Sequence, residues 1–197
     1  MLEARDVSFA YKKGREIYCG INLSVAPDER VALQAPSGFG KTTLCQILSG
    51  YLQPSAGQVL VDGEPLPKRG VCPVQLIWQH PEKVLDPRMR MRDSLAEAGA
   101  ADPRIIEALG IQRRWMDRFP HELSGGEMQR FCIARALTAR PKYLIADEIS
   151  TMLDAVTQAQ LWDFLVRETS EQGIGMVLVS HSPELTARVA TRVVQLG

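Results

Sequence analysis

The residues from Ala35 to Thr43 read Ala-Pro-Ser-Gly-Phe-Gly-Lys-Thr-Thr, with the apolar run Val31-Ala32-Leu33 before them and the helical stretch Leu44-Cys45-Gln46-Ile47-Leu48 after them. A chain of phosphates carries several negative oxygens and needs many short-range donors, so backbone must come close to it. Gly38 and Gly40 permit that approach on either side of Phe39. Lys41 brings a point charge to the outer phosphates, Thr42 offers a hydroxyl to a magnesium ion, and the helix that begins around Thr43 turns its first amides toward the anion. The stretch, with Ser37 inside it, therefore reads as a phosphate-binding loop. An ordinary strand-to-helix turn with chance glycines is the alternative, but Gly-Lys-Thr-Thr after a buried strand is uncommon by chance. One position departs from the motif, which asks for glycine where this chain has Ala35. If the backbone there needs positive φ, alanine costs about 1 kcal/mol; if it does not, the cost is small.

A second anion site is written into Leu123-Ser-Gly-Gly-Glu-Met-Gln-Arg130. Ser124 with Glu127 three residues on is a capping box, which starts a helix for local reasons alone. Gly125 and Gly126 also strip side chains from that helix start and leave bare amides beside a serine hydroxyl. The loop of one subunit and this helix start of another could make one site that closes only around nucleotide.

These stretches must be positioned by the elements around them. Four apolar runs end in polar or charged residues: Val31 to Leu33 at the phosphate loop, Leu76-Ile77-Trp78 at Gln79-His80, Leu144-Ile145-Ala146 at Asp147-Glu148, and Met176 to Val179 at Ser180-His181. Near-continuous apolar runs fit the strands of a parallel sheet covered on both faces, and such sheets bind ligands beyond the carboxyl ends of their strands. The spacing predicts an α/β fold whose four strand ends meet at one site. Before and around the loop, Val7, Phe9 and Tyr11, then Ile21, Leu23 and Val25, alternate with polar residues as half-buried antiparallel strands do. Val59-Leu60-Val61 followed by Asp62-Gly63 predicts a strand and a tight turn. Between Pro81 and Arg140 the pattern turns helical, with Met91 to Ala98, Pro103 to Leu109 and Gln112 to Phe119 as short amphipathic candidates and a longer helix after Ser124. This predicts a helical subdomain, residues 81–140, inserted between core segments 1–80 and 141–197 of a single domain. Asp154 to Glu171 reads as a helix stopped at Gly173, with a strand and a helix beyond it.

Composition narrows the partners. The 197 residues balance 23 Lys and Arg against 23 Asp and Glu, so no nucleic acid or anionic surface is demanded. Cys19, Cys45, Cys72 and Cys132 are scattered without metal-binding spacing and are expected to be small buried hydrophobes of a reducing compartment. No stretch approaches the roughly 18 apolar residues of a membrane span, and the first residues lack the pattern of a signal peptide. Any membrane role is expected to come through a partner.

Taken together, the loop at Ala35 to Thr42 and the signature at Leu123 to Arg130 make the chain resemble an ATP-binding cassette (ABC) ATPase of the transporter type, over essentially its whole length. The resemblance implies a P-loop NTPase core with a parallel sheet, a small N-terminal antiparallel β subdomain and an inserted helical subdomain. It implies ATP as substrate and Mg2+ as cofactor. Asp147 would hold the magnesium shell, Glu148 would polarise the attacking water, and His181 would contact the γ-phosphate, although Ser182-Pro183 beside it is also a plain helix start. Gln79 matches a glutamine that senses metal and nucleotide, Tyr11 matches an aromatic that stacks on adenine, and Met152-Leu153-Asp154 matches a loop at the dimer interface. On its own, Tyr11 would more often be a core strand tyrosine. Ile149 stands where the family usually has proline. The implied partners are transmembrane permease subunits, a second cassette, identical or similar, and an extracellular solute-binding protein, with the chain on the cytoplasmic face of the membrane.

The segment His80-Pro-Glu-Lys-Val-Leu-Asp-Pro-Arg-Met89 and the run Ala146 to Asp154 are similar to those of peptide and nickel importers, with Asp86 in an asparagine position. A transporter cassette should also carry a groove, bordered by Gln79 to Arg90 and the helical insert, that receives a short permease helix. A soluble cassette serving an assembly or enzyme complex is the alternative, and would lack that partner.

Overall fold

The protein is described by a computed structural model covering residues 1–11, 16–36 and 38–196. Its strands are β1 (Leu2–Ala10), β2 (Glu16–Val25), β3 (Arg30–Gln34), β4 (Ala56–Val61), β5 (Glu64–Pro65), β6 (Val74–Ile77), β7 (Tyr143–Asp147), β8 (Gly175–Val179) and β9 (Arg192–Gln195). Its helices are α1 (Lys41–Leu48), α2 (Met91–Ala96), α3 (Pro103–Ala108), α4 (Gly125–Thr138), α5 (Ala155–Gln172) and α6 (Pro183–Val189). One sheet is antiparallel in the order β2-β1-β4-β5. The other is parallel in the order β6-β7-β8-β3-β9. The four apolar runs are neighbours in that second sheet, as their composition predicts.

Side-chain alternation along these strands divides the core in two. Ala32, Ile77, Leu144, Ala146, Met176 and Leu178 point to one face and pack with residues of α2 to α5. Val31, Leu33, Val74, Leu76, Ile145, Val177 and Val179 point to the other and pack with α1 and the antiparallel sheet. With both faces covered, successive residues are all apolar, which is why these strands read as continuous runs. The edge formed by their carboxyl ends is the part of the sheet left for chemistry.

Local chemistry explains most boundaries. Asp62 and Gly63 both have positive φ, 55° and 84°, and close the β4–β5 hairpin. Asp154 caps α5 by accepting from the N–H groups of Val156 at 3.1 Å and Thr157 at 3.0 Å, and Gly173 ends it in the left-handed region at φ 68°.

Two expectations are corrected, and one strand is present that the sequence pattern does not predict. Gln112 to Phe119 holds only a single 3-10 turn, Arg113–Trp115. Its later carbonyls serve α2 instead: Met91 N–H donates to Arg118 C=O and Arg92 N–H to Met116 C=O, both at 2.9 Å. The segment is thus held as a cap for a neighbouring helix. Strand β9 was not expected; its four residues lie at the sheet edge beside β3, and their partial exposure hides the apolar pattern. Among the cysteines, Cys45 and Cys132 are buried, but Cys19 is exposed because it follows the inward-facing Tyr18 on β2.

Gly175 shows how tightly the sheet is closed below its active edge. A Cβ there would lie 2.5 Å from the Tyr143 ring and 2.6 Å from the Ala26 carbonyl oxygen. Gly175→Ala is therefore expected to destabilise the fold by about 1–3 kcal/mol through overpacking, measured by urea denaturation. An unchanged midpoint would show that this contact is relaxed in solution.

Candidate functional site

Strand β3 delivers the chain into the glycine-rich stretch that begins at Ala35, and α1 begins at Lys41. Gly38 and Gly40 have φ of 79° and 99°, a region open to glycine and strained for most other residues. Gly40 has a second reason to be glycine, since a Cβ there would lie 2.7 Å from both Ile17 Cγ2 and the Tyr18 hydroxyl oxygen. Ala35 is not among the residues of positive φ, so glycine is not needed there and the departure from the motif costs little. Ser37 lies outside the described residues. The ammonium of Lys41 donates to the carbonyls of Ala35 at 2.9 Å and Pro36 at 3.4 Å, which keeps it at the mouth of the loop.

Asp147 ends β7 beside this loop and is 1% exposed. Burial pushes its carboxyl above the ordinary value, while a hydrogen bond from Thr42 and the charge of Lys41 oppose that shift. Its Oδ1 is buried without a hydrogen-bond partner among the described residues. A buried carboxylate oxygen left unpaired is costly, and a hard divalent cation is the group that would satisfy it. The Thr42 hydroxyl and the Asp147 carboxylate form an oxygen donor set of the kind magnesium takes, so the residues present fit that ion.

Glu148 is the next residue and leaves the strand in a left-handed conformation, φ 50°. Its N–H donates to the Val179 carbonyl at the end of β8, at 3.1 Å. This turn aims the carboxylate across the strand ends, where it is gripped from both sides. Gln79 Nε2 donates to Oε2 at 2.8 Å, and His181 Nε2 lies 2.8 Å from Oε1. Residues from the ends of β6, β7 and β8 therefore meet on one carboxylate. Lys41, Ala35 and His181 border a cavity of about 320 Å³, and Glu148 and His181 border another of about 300 Å³. Ser182 accepts from Leu185 N–H at 3.1 Å and starts α6, so the helix start and the placement of His181 come from the same turn.

Tyr11 lies just beyond β1 and is 51% exposed, which removes the core reading. Its hydroxyl is 3.0 Å from Thr43 Oγ1 on α1, and its ring meets Phe9 edge-on at 5.0 Å.

The signature residues are placed elsewhere. Ser124 caps α4 by accepting from Glu127 N–H at 3.3 Å, while Glu127 accepts from Ser124 N–H at 2.7 Å. Neither bond occupies the N–H of Gly125 or Gly126. Added Cβ atoms at these glycines would lie 2.7 Å from Met152 Sδ and 2.9 Å from Leu153 Cδ2, so the helix start packs closely on the loop after Glu148. Ser124, Gly125 and Gly126 do not line the cavities at Lys41 and Glu148. The structure thus brings Gln79, Asp147, Glu148 and His181 together with the loop, and leaves the signature outside that cluster.

Two buried groups escaped the sequence reading. Gln129, 2% exposed on α4, donates from Nε2 to the Trp78 carbonyl at 3.1 Å and so ties the signature helix to the strand end at Gln79. Tyr18, also 2% exposed, donates its hydroxyl to the Gly40 carbonyl. In sequence Tyr18 looks like any inward strand position, and Gln129 lies within the signature stretch without any sign of its contact with Trp78.

Comparison with known proteins shows the family. The family described as ABC transporter matches residues 18–151. The chain is 33% identical to a methionine import ATP-binding protein, MetN, of Caulobacter vibrioides, over 100% of this chain and 64% of that protein, so it spans less than two thirds of that relative. It is 30% identical to a nickel import system ATP-binding protein, NikE, of Staphylococcus aureus, over 100% of this chain and 86% of that protein. A solved dimeric structure of a bacterial ABC transporter cassette superposes with a TM-score of 0.85 at 26% identity, covering 100% of this chain and 94% of the other. The match over most of its length and the agreement in fold show that this chain belongs to the ATP-binding subunits of the ABC transporter family.

Proposed function

We propose that the chain binds and hydrolyses ATP to drive a transporter, and that Glu148, gripped between Gln79 and His181 beside the phosphate loop, is the observation that carries this reading. Backbone amides around Gly38, Phe39 and Gly40, with Ser37 in the same loop, take the phosphate oxygens, and Lys41 and Thr43 add charge and a hydroxyl. Tyr11, exposed and tied to Thr43, presents its ring to adenine. Thr42 and Asp147, with Gln79, would hold Mg2+, which supplies charge neutralisation of the phosphate oxygens. Glu148 accepts the proton of the attacking water, while His181 steadies the carboxylate and faces the terminal phosphate. This is catalysis by positioning and electrostatic stabilisation, as in other phosphoryl transfers.

The free helix start at Ser124, Gly125 and Gly126 supports a site shared between two copies. ATP held on one phosphate loop would be closed by the signature of a second cassette, identical or similar, and hydrolysis would release the pair. The dimeric cassette of the same fold supports that arrangement.

A cavity of about 500 Å³ supports a permease partner. It is lined by Tyr51, Val71, Trp78, Val84 and Arg135 among others, with Tyr51 58% and Val71 66% exposed. It lies between the strand end at Gln79 and α4, where a short permease helix would report on the nucleotide site. Among the described residues no helix is long and apolar enough to cross a membrane; permease subunits would hold the chain at the cytoplasmic face of the membrane. The segment from His80 to Met89 and the likeness to the nickel import relative support import of peptides or nickel complexes, with an extracellular solute-binding protein. Affinity pull-down from detergent-solubilised native membranes tests this: multi-span proteins and a second cassette are expected, and soluble proteins alone would overturn the transport reading.

Glu148→Gln is expected to bind ATP, lose turnover by about 10² to 10⁴-fold, and elute as an ATP-dependent dimer in gel filtration. Turnover at the wild-type rate would remove Glu148 from its role. Asp147→Asn is expected to raise the melting temperature of nucleotide-free protein at neutral pH, because it removes a buried charge, and to abolish the extra stabilisation that magnesium gives with ATP. A fall in melting temperature would show that the charge is already compensated.

A further inference from the structure

The phosphate loop is held from below by a residue that none of its motifs contains. Tyr18 comes from β2 of the antiparallel sheet, and its hydroxyl donates to the carbonyl of Gly40, the residue immediately before α1. The same carbonyl accepts from Leu44 N–H at 3.0 Å in the first turn of the helix. Ile17 and Tyr18 leave no room for a Cβ at Gly40, and the Tyr18 ring lies 5.7 Å from that of Phe39. Burial raises the Tyr18 hydroxyl far above its ordinary value, so it stays protonated and keeps its role as donor.

The peptide plane translates this bond into function. In a trans peptide the C=O of Gly40 and the N–H of Lys41 point in opposite directions. A hydroxyl that holds the carbonyl inward therefore turns the Lys41 N–H outward, toward the anion. It also keeps a carbonyl oxygen, with its partial negative charge, away from the phosphates. The α1 N-cap is a glycine with no side-chain hydrogen bond of its own, and the Tyr18 hydroxyl joins the Leu44 N–H as a second donor that holds its carbonyl.

Resting on the ATP-binding reading above, we propose that Tyr18 is a positioning residue for nucleotide phosphate, acting through the Gly40–Lys41 peptide. Its loss should weaken the grip on ATP while leaving the hydrolytic groups around Glu148 in place. Neither Tyr18 nor its ring is among the residues proposed to touch ATP.

Tyr18→Phe keeps the ring and removes only the hydroxyl. The expected result is a KM for ATP raised about fivefold, the value of one net hydrogen bond, with kcat within about twofold of wild type. The same loss should appear in equilibrium binding of ATP. Placing 4-aminophenylalanine at position 18 restores an N–H donor at the ring tip and should recover most of the affinity. A merely structural role would lower the melting temperature and kcat together and would not be rescued by the amine, which would overturn the proposal. Tyr18→Phe binding ATP as tightly as wild type would also overturn it, with the proposed function intact. Wild-type protein that binds no ATP would overturn both.

Discussion

A carboxylate buried to 1% exposure, with one oxygen unpartnered among the described residues, is expensive to keep, and Asp147 is kept that way at the end of β7. The rest of the structure follows from having to hold that charge. A sheet covered on both faces supplies the low-dielectric surroundings, and its parallel strands all end on the same edge. Lys41 and Thr42 come to Asp147 from the neighbouring loop and offset part of the cost. The oxygen that remains unpaired among the described residues is where the proposed magnesium ion would bind.

Much of this was legible from residue order. Continuous apolar runs ending in polar residues announced the parallel sheet, and glycine placement announced the loop. What could not be read depended on tertiary contacts. Gln112 to Phe119 has the spacing of a helix but gives its carbonyls to the start of α2. Strand β9 is too short and too exposed to show a period. The harmlessness of Ala35 rests on a dihedral angle that a sequence does not display. Cys19 and Tyr18 are adjacent, yet one faces solvent and the other the phosphate loop, and only strand register separates them. The roles carried over from the resemblance concern single residues, whereas Gln129 and Tyr18 act through backbone carbonyls of distant segments.

The signature helix carries a different constraint. Gly125 and Gly126 leave so little space that Met152 and Leu153 pack directly on them. The loop following Glu148 and the start of α4 are therefore in close contact. Gln129 ties the same helix to the Trp78 carbonyl beside Gln79. A change at the γ-phosphate position would reach the proposed permease groove through Gln79 and Trp78, and the opposing cassette through α4. In the proposed dimer one chain would supply both halves of a composite site, and buried Gln129 links the signature helix to the strand end at Gln79.

On the reading proposed above, the loop and Asp147 together bind ATP with magnesium. Isothermal titration of the purified chain with ATP, in the presence of magnesium and again in excess chelator, tests it most directly. Saturable binding that is markedly tighter with magnesium is expected. Equal affinity in the two conditions, or no binding at millimolar ATP, would contradict it.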